Sequence, residues 1–286
     1  MPVLVRLLAH IPLRFMHVLG ALLGWLAFLA SPTYRRRFLA NAARAGYRFA
    51  EVRAAVTQAG RTVAEIPRLW FGAVPDCALV NEGLVAEAYA AGRGVIYLSP
   101  HLGGFELCAQ DAARRWGDLY GPITVLYRPA RQAWLARMME TARNRPAMQA
   151  VPTTLAGVRL MIKALRRGEA VGLLPDQVPP DGLGVWAPFF GHDAYTMTLA
   201  ARLAQQTGAQ VLIVYCERLP KGRGFVTHFE RLDAPLADDA VLAATQINRA
   251  MECAIRQCPE QYLWGYARYK RPRGQMPAGA VAEGVA

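Results

Sequence analysis

Cysteine is scarce in this sequence, and its spacing excludes two common uses of the residue. The chain has 286 residues and five cysteines, and no two of them have the C-x-x-C spacing. An odd number of scattered thiols argues against a disulfide framework. We therefore expect reduced thiols and a cytosolic compartment. The cysteines are Cys77, Cys108, Cys216, Cys253 and Cys258.

Lysine is also scarce. The formal net charge is +12, but only three of the 33 basic residues are lysines. Arginine forms bidentate pairs with phosphate and carboxylate, so the bias fits an anionic partner. A GC-rich genome produces the same bias, and composition leaves both explanations open. The sequence has neither the interleaved aromatic and basic residues of a single-strand binder nor a helix-turn-helix signature, which argues against nucleic acid.

Formal charge is absent from residues 15–34, which read "FMHVLGALLGWLAFLASPTY". A helix of this length reaches roughly 30 Å, about the thickness of a bilayer's hydrocarbon core. No A-x-A site follows, and the arginines at 35–37 argue against a cleaved signal peptide. We predict a membrane anchor over residues 1–33 that spans the bilayer or lies in its interface, with the body cytoplasmic in both cases. A buried helix of a soluble domain is the alternative.

From residue 94 onward, apolar runs alternate with helical patterns. Such alternation predicts a mainly parallel sheet with helices on its faces. We expect one α/β domain over residues 34–272, with no internal repeat and no second compact domain, and a disordered tail over 273–286. The predicted strands are 94–99, 123–127, 170–175, 210–217 and 224–230.

Three polar residues follow three of these strands. His101 comes after the strand at 94–99, Arg128 after 123–127, and Asp176 after 170–175. In open α/β sheets, ligands bind beyond the carboxyl ends of the strands. If the three strands are parallel neighbours, the three side chains meet on one edge of the sheet.

The stretch "SPHLGGFE" at 99–106 surrounds the first of these residues. Gly103 and Gly104 allow a tight turn and close approach of a substrate to the backbone, and their amides are candidate donors to an oxyanion. Glu106 falls in the first turn of the next helix, from where its carboxylate can fold back to hold the imidazole of His101 as a general base. Spacing alone leaves open that His101 caps a turn and Glu106 is a solvated residue at the start of a helix.

Four segments resemble the late acyltransferases of lipid A biosynthesis in order and spacing. They are "SPHLGGFE", "VLYRPAR", "LLPDQVPPDGLGVWAPFFGHDAYTMTLAARLA" and "QYLWGYARYKRP". The first also resembles the H-x4-(D/E) box of the wider lysophospholipid acyltransferase superfamily. There are two departures from the family pattern, which has Asn-Trp in place of Gly104 and Phe105, and His-Arg in place of Tyr266 and Ala267.

The resemblance implies an O-acyltransferase that moves a lauroyl- or myristoyl-type chain from an acyl carrier protein thioester to a hydroxyl of a lipid A precursor. It implies His101 as general base, Glu106 as its partner, and Arg128 and Asp176 in the same site. Arg128 then binds either the oxyanion or a phosphate, and Asp176 orients Arg128 or a substrate hydroxyl. Another glycolipid or a lysophospholipid is the alternative acceptor.

The resemblance also implies a setting for the reaction. The expected partners are an acidic carrier protein, a phosphorylated glycolipid and the membrane, and the expected location is the cytoplasmic face of the bacterial inner membrane. No cofactor or metal is expected, because His192 and His228 lack the spacing of metal ligands. Residues 185–190, "VWAPFF", line an acyl-chain groove or form a core loop.

Overall fold

The computed structural model describes residues 8–128, 130, 132–143 and 145–272. The predicted disordered tail, 273–286, lies outside these residues. The helices are α1 (Leu13–Ala30), α2 (Pro32–Arg44), α3 (Phe49–Val52), α4 (Ala54–Phe71), α5 (Gly83–Ala90), α6 (Phe105–Tyr120), α7 (Ala133–Arg143), α8 (Leu155–Arg166), α9 (Leu199–Thr207) and α10 (Ala240–Gln257). The strands are β1 (Cys77–Val80), β2 (Val95–Leu98), β3 (Ile123–Tyr127), β4 (Met148–Pro152), β5 (Ala170–Leu173), β6 (Gly184–Phe189), β7 (His192–Met197), β8 (Gln210–Arg218) and β9 (Phe225–Arg231).

A seven-stranded, mainly parallel sheet forms the centre of the protein, in the order β1-β9-β8-β2-β5-β3-β4. Strand β9 pairs antiparallel with β8 and parallel with β1, whereas the remaining neighbours are parallel. All four residues of β2 are buried, as expected for a strand covered by helices on both faces. The predicted α/β fold with a mainly parallel sheet flanked by helices is confirmed.

A hairpin includes most of the segment 185–190, for which a core loop was one of two expectations. Strands β6 and β7 form a separate two-stranded antiparallel sheet in which Pro188 pairs with Asp193. Proline suppresses the strand signal because it removes a backbone donor, but an edge position tolerates it. Asn248 of α10 donates to the carbonyl of Pro188 at 2.8 Å, and Phe189 is buried in the core. Of the segment 185–190, residues 185–189 are therefore strand rather than loop.

Helix α1 ends at Ala30, earlier than the uncharged segment of the sequence. Ser31 caps the next helix by accepting a hydrogen bond from the amide of Tyr34 at 3.3 Å, and Pro32 takes the first position of α2. By length and composition, α1 is the one helix of the described part that could cross a membrane, with a mean hydropathy of 1.7.

One face of α1 packs on α4 through small residues. A Cβ added to Gly60 would lie 1.9 Å from the carbonyl oxygen of Gly20 and 2.6 Å from the amide nitrogen of Gly24, so the two helices touch backbone to backbone. The other face presents large apolar side chains to the outside. The exposed side chains are Phe15, Val18, Leu19, Leu22, Leu23, Leu26 and Leu29. Helix α1 is therefore two-sided, and the predicted boundary at residue 33 stays a prediction.

Candidate active site

The three strands that the sequence analysis singled out are neighbours. Strand β5 lies between β2 and β3, and all three run parallel. His101, Asp176 and Arg128 therefore follow the carboxyl ends of three adjacent strands, at one edge of the sheet. Arg128 is exposed. Burial raises the pKa of the nearby Tyr266 hydroxyl, and the positive charges of Arg268 and Arg128 partly oppose this effect, so Arg128 acts on the same region.

The imidazole of His101 is held by Asp176. Its Nδ1 lies 2.6 Å from Oδ1, and the backbone amide of His101 donates to Oδ2 at 2.9 Å. The Asp176 side chain is only 2% exposed, whereas that of His101 is 17% exposed. Burial alone would raise the pKa of Asp176, but the charge of His101, its two hydrogen bonds and the charge of Arg268 outweigh burial and lower it. An ionised carboxylate can only accept hydrogen bonds, so Nδ1 carries a proton and donates a hydrogen bond to Oδ1.

With Nδ1 committed to Asp176, the lone pair of the neutral ring is on Nε2. Gln177 is the neighbour of that atom, because its side-chain Nε2 lies 3.0 Å from His101 Nε2. The ring of Phe105 packs beside the imidazole at a centroid distance of 4.9 Å. A histidine whose tautomer is fixed by a buried carboxylate is arranged as a general base.

Glu106 occupies the predicted first turn of α6 but not the predicted contact. We expected its carboxylate beside the imidazole, and the structure places Asp176 there instead. Glu106 Oε2 accepts a hydrogen bond from the indole Nε1 of Trp70 in α4 at 3.1 Å. Helix α6 begins directly at Phe105, so it is this aromatic ring that packs against His101. The catalytic role of Glu106 stays a prediction.

The amides of Gly103 and Gly104 are already used within the protein. Gly103 donates to the carbonyl oxygen of Gln261 at 3.1 Å, and Gly104 donates to that of Cys216 at 2.8 Å. Gly103 has a φ of +56°, and a Cβ there would lie 2.1 Å from the Cys216 carbonyl oxygen. Here it is β8 that approaches this backbone closely, so the predicted approach of a substrate stays a prediction, and oxyanion donation by these amides would require breaking both bonds.

A buried ionic network that the sequence analysis missed holds this turn from behind. Arg218, at the end of β8, is 2% exposed and donates to both oxygens of Glu65, at 2.6 Å each. It also donates to the carbonyl oxygen of Gly103 at 3.0 Å. His17 of α1 contacts the same Glu65 carboxylate through Nε2. The network therefore joins the apolar N-terminal helix to the turn that follows His101, and no spacing in the sequence signals it.

Among the described residues, no cluster of three or more His, Cys, Asp or Glu side chains is placed to hold a metal ion. A cavity of about 680 Å³ is lined by Gln210 and Arg231, among others. Gln210 is the first residue of β8 and pairs with Val95, the first residue of β2. That cavity therefore lies at the amino edge of the sheet, opposite His101. The candidate site rests on the side-chain geometry around His101 and not on this cavity.

Comparison with known proteins gives consistent matches. A family model described as bacterial lipid A biosynthesis acyltransferase matches residues 2–271. The lipid A biosynthesis lauroyltransferase of Escherichia coli K12 is 30% identical over 196 residues, which are 66% of this chain and 61% of that protein. The lipid A biosynthesis palmitoleoyltransferase of the same strain is 29% identical over 226 residues, 76% of this chain and 70% of the relative. A lipid A biosynthesis acyltransferase of Haemophilus influenzae is 24% identical over 183 residues, 63% and 55% of the two chains.

Proposed function

This chain belongs to the bacterial lipid A biosynthesis acyltransferase family, and from that premise we propose that it transfers a fatty acyl chain of lauroyl or myristoyl type from an acyl carrier protein thioester to a hydroxyl of a lipid A precursor. His101 is the general base of this proposal. The observation that supports it best is the imidazole at the carboxyl edge of the sheet, with Nδ1 on the buried Asp176 and Nε2 turned away from that carboxylate.

The chemistry follows from that orientation. The acceptor hydroxyl is too weakly acidic to ionise beforehand, so its proton passes to His101 Nε2 as its oxygen bonds to the thioester carbonyl carbon. Asp176 stabilises the imidazolium that forms. The C–S bond then breaks, the ester is released, and the thiolate takes the proton from the imidazolium. Such base assistance accelerates a reaction by about 10²–10⁴-fold.

The tetrahedral intermediate carries a negative charge that needs a donor. Arg128 is exposed at the end of β3, beside β5, and it carries the positive charge for this task. Gly103 and Gly104 donate to the same oxygen only if the loop gives up its bonds to Gln261 and Cys216. Glu106 supports the site from the first turn of α6, through its bond to Trp70.

The donor and acceptor of this proposal fit the charge of the chain and the shape of α1. A net charge of +12 attracts an acidic carrier protein and a phosphorylated glycolipid. The exposed apolar face of α1 enters the bilayer that holds the acceptor, while its glycine face stays on α4. We place the protein on the cytoplasmic face of the bacterial inner membrane on these grounds.

The test is an acyl-transfer assay with protein purified in detergent. Carrier-protein thioesters of lauroyl, myristoyl and palmitoleoyl chains are each offered with a tetra-acylated disaccharide lipid A precursor, and the acceptor's mass gain is measured. We expect transfer by the unaltered protein and a loss of about 10²–10⁴-fold in His101→Ala. His192→Ala, which removes an exposed histidine from β7, is the matched control and should retain full activity.

Two outcomes would contradict the proposal. Equal turnover in His101→Ala and the unaltered protein would exclude His101 as the base. Mass gain on a lysophospholipid or another glycolipid, with none on the lipid A precursor, would retain the proposed acyl transfer and contradict the proposed acceptor.

A further inference from the structure

We propose that Gln177 is a gate on the general base, one that occupies the position of the acceptor hydroxyl and leaves only when that hydroxyl arrives. This inference rests on the proposed function and deepens it. Its starting observation is the 3.0 Å distance between the side-chain Nε2 of Gln177 and Nε2 of His101.

That distance is significant because only one lone pair of the ring accepts a proton. Nδ1 is bound to Asp176, so the substrate's proton must pass to Nε2. A hydroxyl or a water that gives up its proton there must lie about 3 Å from the nitrogen, along the same lone pair. The amide N–H of Gln177 already fills that position, and two donors cannot share it.

The chain around Gln177 confines the movement to its side chain. The preceding residue, Asp176, is fixed on His101 by two hydrogen bonds. The following residue, Val178, is buried and donates its amide to the hydroxyl of Tyr266 at 3.0 Å. In the described part of the chain, the bond to His101 is the one hydrogen bond recorded for the Gln177 side chain, which is half-buried. Breaking a single bond therefore frees it to rotate without moving the backbone.

The consequence is selection of the acceptor over water. Without the gate, a water at Nε2 would lose its proton to the ring as its oxygen attacks the thioester carbonyl. The C–S bond would break, and the products would be a free fatty acid and a thiol. With Gln177 in place, a lone water gains little by displacing the amide, whereas a lipid acceptor brings the binding energy of its remaining contacts to the exchange. The gate thus protects the acyl donor until the acceptor is bound.

The first experiment measures how the acyl chain is partitioned. The full-length enzyme, its Gln177→Ala variant and Gln177→Met are each given lauroyl carrier protein with and without the lipid A precursor. Free laurate and acylated lipid are quantified. We expect the ratio of hydrolysis to transfer to rise by about tenfold in Gln177→Ala, the effect of losing one hydrogen bond to the base. Gln177→Met keeps the bulk but cannot donate, so an intermediate rise shows how much of the gate is steric. An unchanged ratio in both variants would overturn the gate.

The second experiment needs no acyl transfer, which keeps the two proposals separable. Diethyl pyrocarbonate modifies the unprotonated nitrogen of a neutral imidazole, and peptide mass spectrometry gives its rate at each histidine. Freeing Nε2 should speed labelling of His101 about tenfold in Gln177→Ala, while the exposed His192 reacts at its usual rate. Equal rates at His101 in both proteins would overturn the inference. Faster labelling in a protein that acylates none of the tested acceptors would retain the gate on His101 and reject the proposed function.

Discussion

Of the three histidine–carboxylate pairs in the described part of the protein, two differ most in what surrounds them. His101 and Asp176 form one at the carboxyl edge of the sheet, where the His101 side chain is 17% exposed. His17 and Glu65 form the other between α1 and α4, where the two side chains are 6% and 0% exposed and Glu65 also binds Arg218. In the first pair, the second ring nitrogen meets the half-buried side chain of Gln177, which we propose gives way to substrate, whereas the second pair is enclosed. A histidine beside a carboxylate therefore indicates a base only when its second nitrogen is accessible.

The largest effect that we expect comes from replacing the carboxylate of the accessible pair. Asp176→Asn keeps the shape of the side chain but lets its amide donate to Nδ1, which favours the wrong tautomer of His101. We expect acyl transfer to fall by about 10²–10⁴-fold, by analogy with the serine protease triad. Steady-state transfer rates, with folding verified by circular dichroism, measure the effect.

Glu106→Gln is the matched comparison, because it alters the other carboxylate that the sequence analysis assigned to His101. Since Glu106 bonds to Trp70 in this structure, we expect a smaller loss than in Asp176→Asn. A greater loss in Glu106→Gln would return Glu106 to the role of direct partner and would mean that the site rearranges when substrate binds.

Removing the carboxylate of the enclosed pair should lower the free energy of unfolding. Glu65→Ala leaves the guanidinium of Arg218 buried without its carboxylate, and such a change costs about 3–5 kcal/mol of unfolding free energy. Chemical denaturation in detergent measures it. Because Arg218 also holds the carbonyl of Gly103, activity should fall with stability. Glu87→Ala is the control, since it removes an exposed ion pair with Arg231, which contributes little. Equal stability of the two variants would show that the network does not support the fold.

The sequence predicted the accessible pair better than the enclosed one for a physical reason. Apolar runs mark strands, and the residue that follows a parallel strand lies at a known edge, so the shared edge of His101, Asp176 and Arg128 could be anticipated. The direction of a side chain after the turn could not be anticipated. Each further residue of a helix points about 100° away from the one before it, so a small error in where the helix begins changes which side chain faces His101. That is why the sequence analysis named Glu106 as the partner of His101, whereas the structure places Asp176 there.

The enclosed network had no local signal at all. Residues 17, 65 and 218 are far apart in the chain, and tertiary packing alone brings them together.

The hairpin of β6 and β7 was missed for a different reason. Proline at 188 weakens a strand prediction, and the partner that satisfies its carbonyl, Asn248, comes 60 residues later.

Acid should weaken both pairs, and this prediction has the smallest expected effect. Burial alone would raise the pKa of Glu65, but the charge of Arg218 and the hydrogen bonds from His17 and Arg218 outweigh it, and the pKa of Asp176 is likewise lowered. A carboxyl whose pKa is lower in the folded state contributes stability above its unfolded value. That contribution is lost as pH falls through the ordinary values, 4.5 for Glu65 and 3.8 for Asp176, toward the folded ones.

Thermal unfolding midpoints between pH 7 and pH 3.5 measure this loss, and Glu65→Gln isolates the share of the enclosed pair. Glu252 acts with the opposite sign, because burial raises its pKa and protonation then favours the folded state, so the comparison of variants is more informative than one curve. We expect the midpoint of the unaltered protein to fall on acidification and that of Glu65→Gln to fall less. Parallel curves would mean that Glu65 titrates alike in the folded and unfolded states, and the enclosed pair would then contribute nothing through its charge.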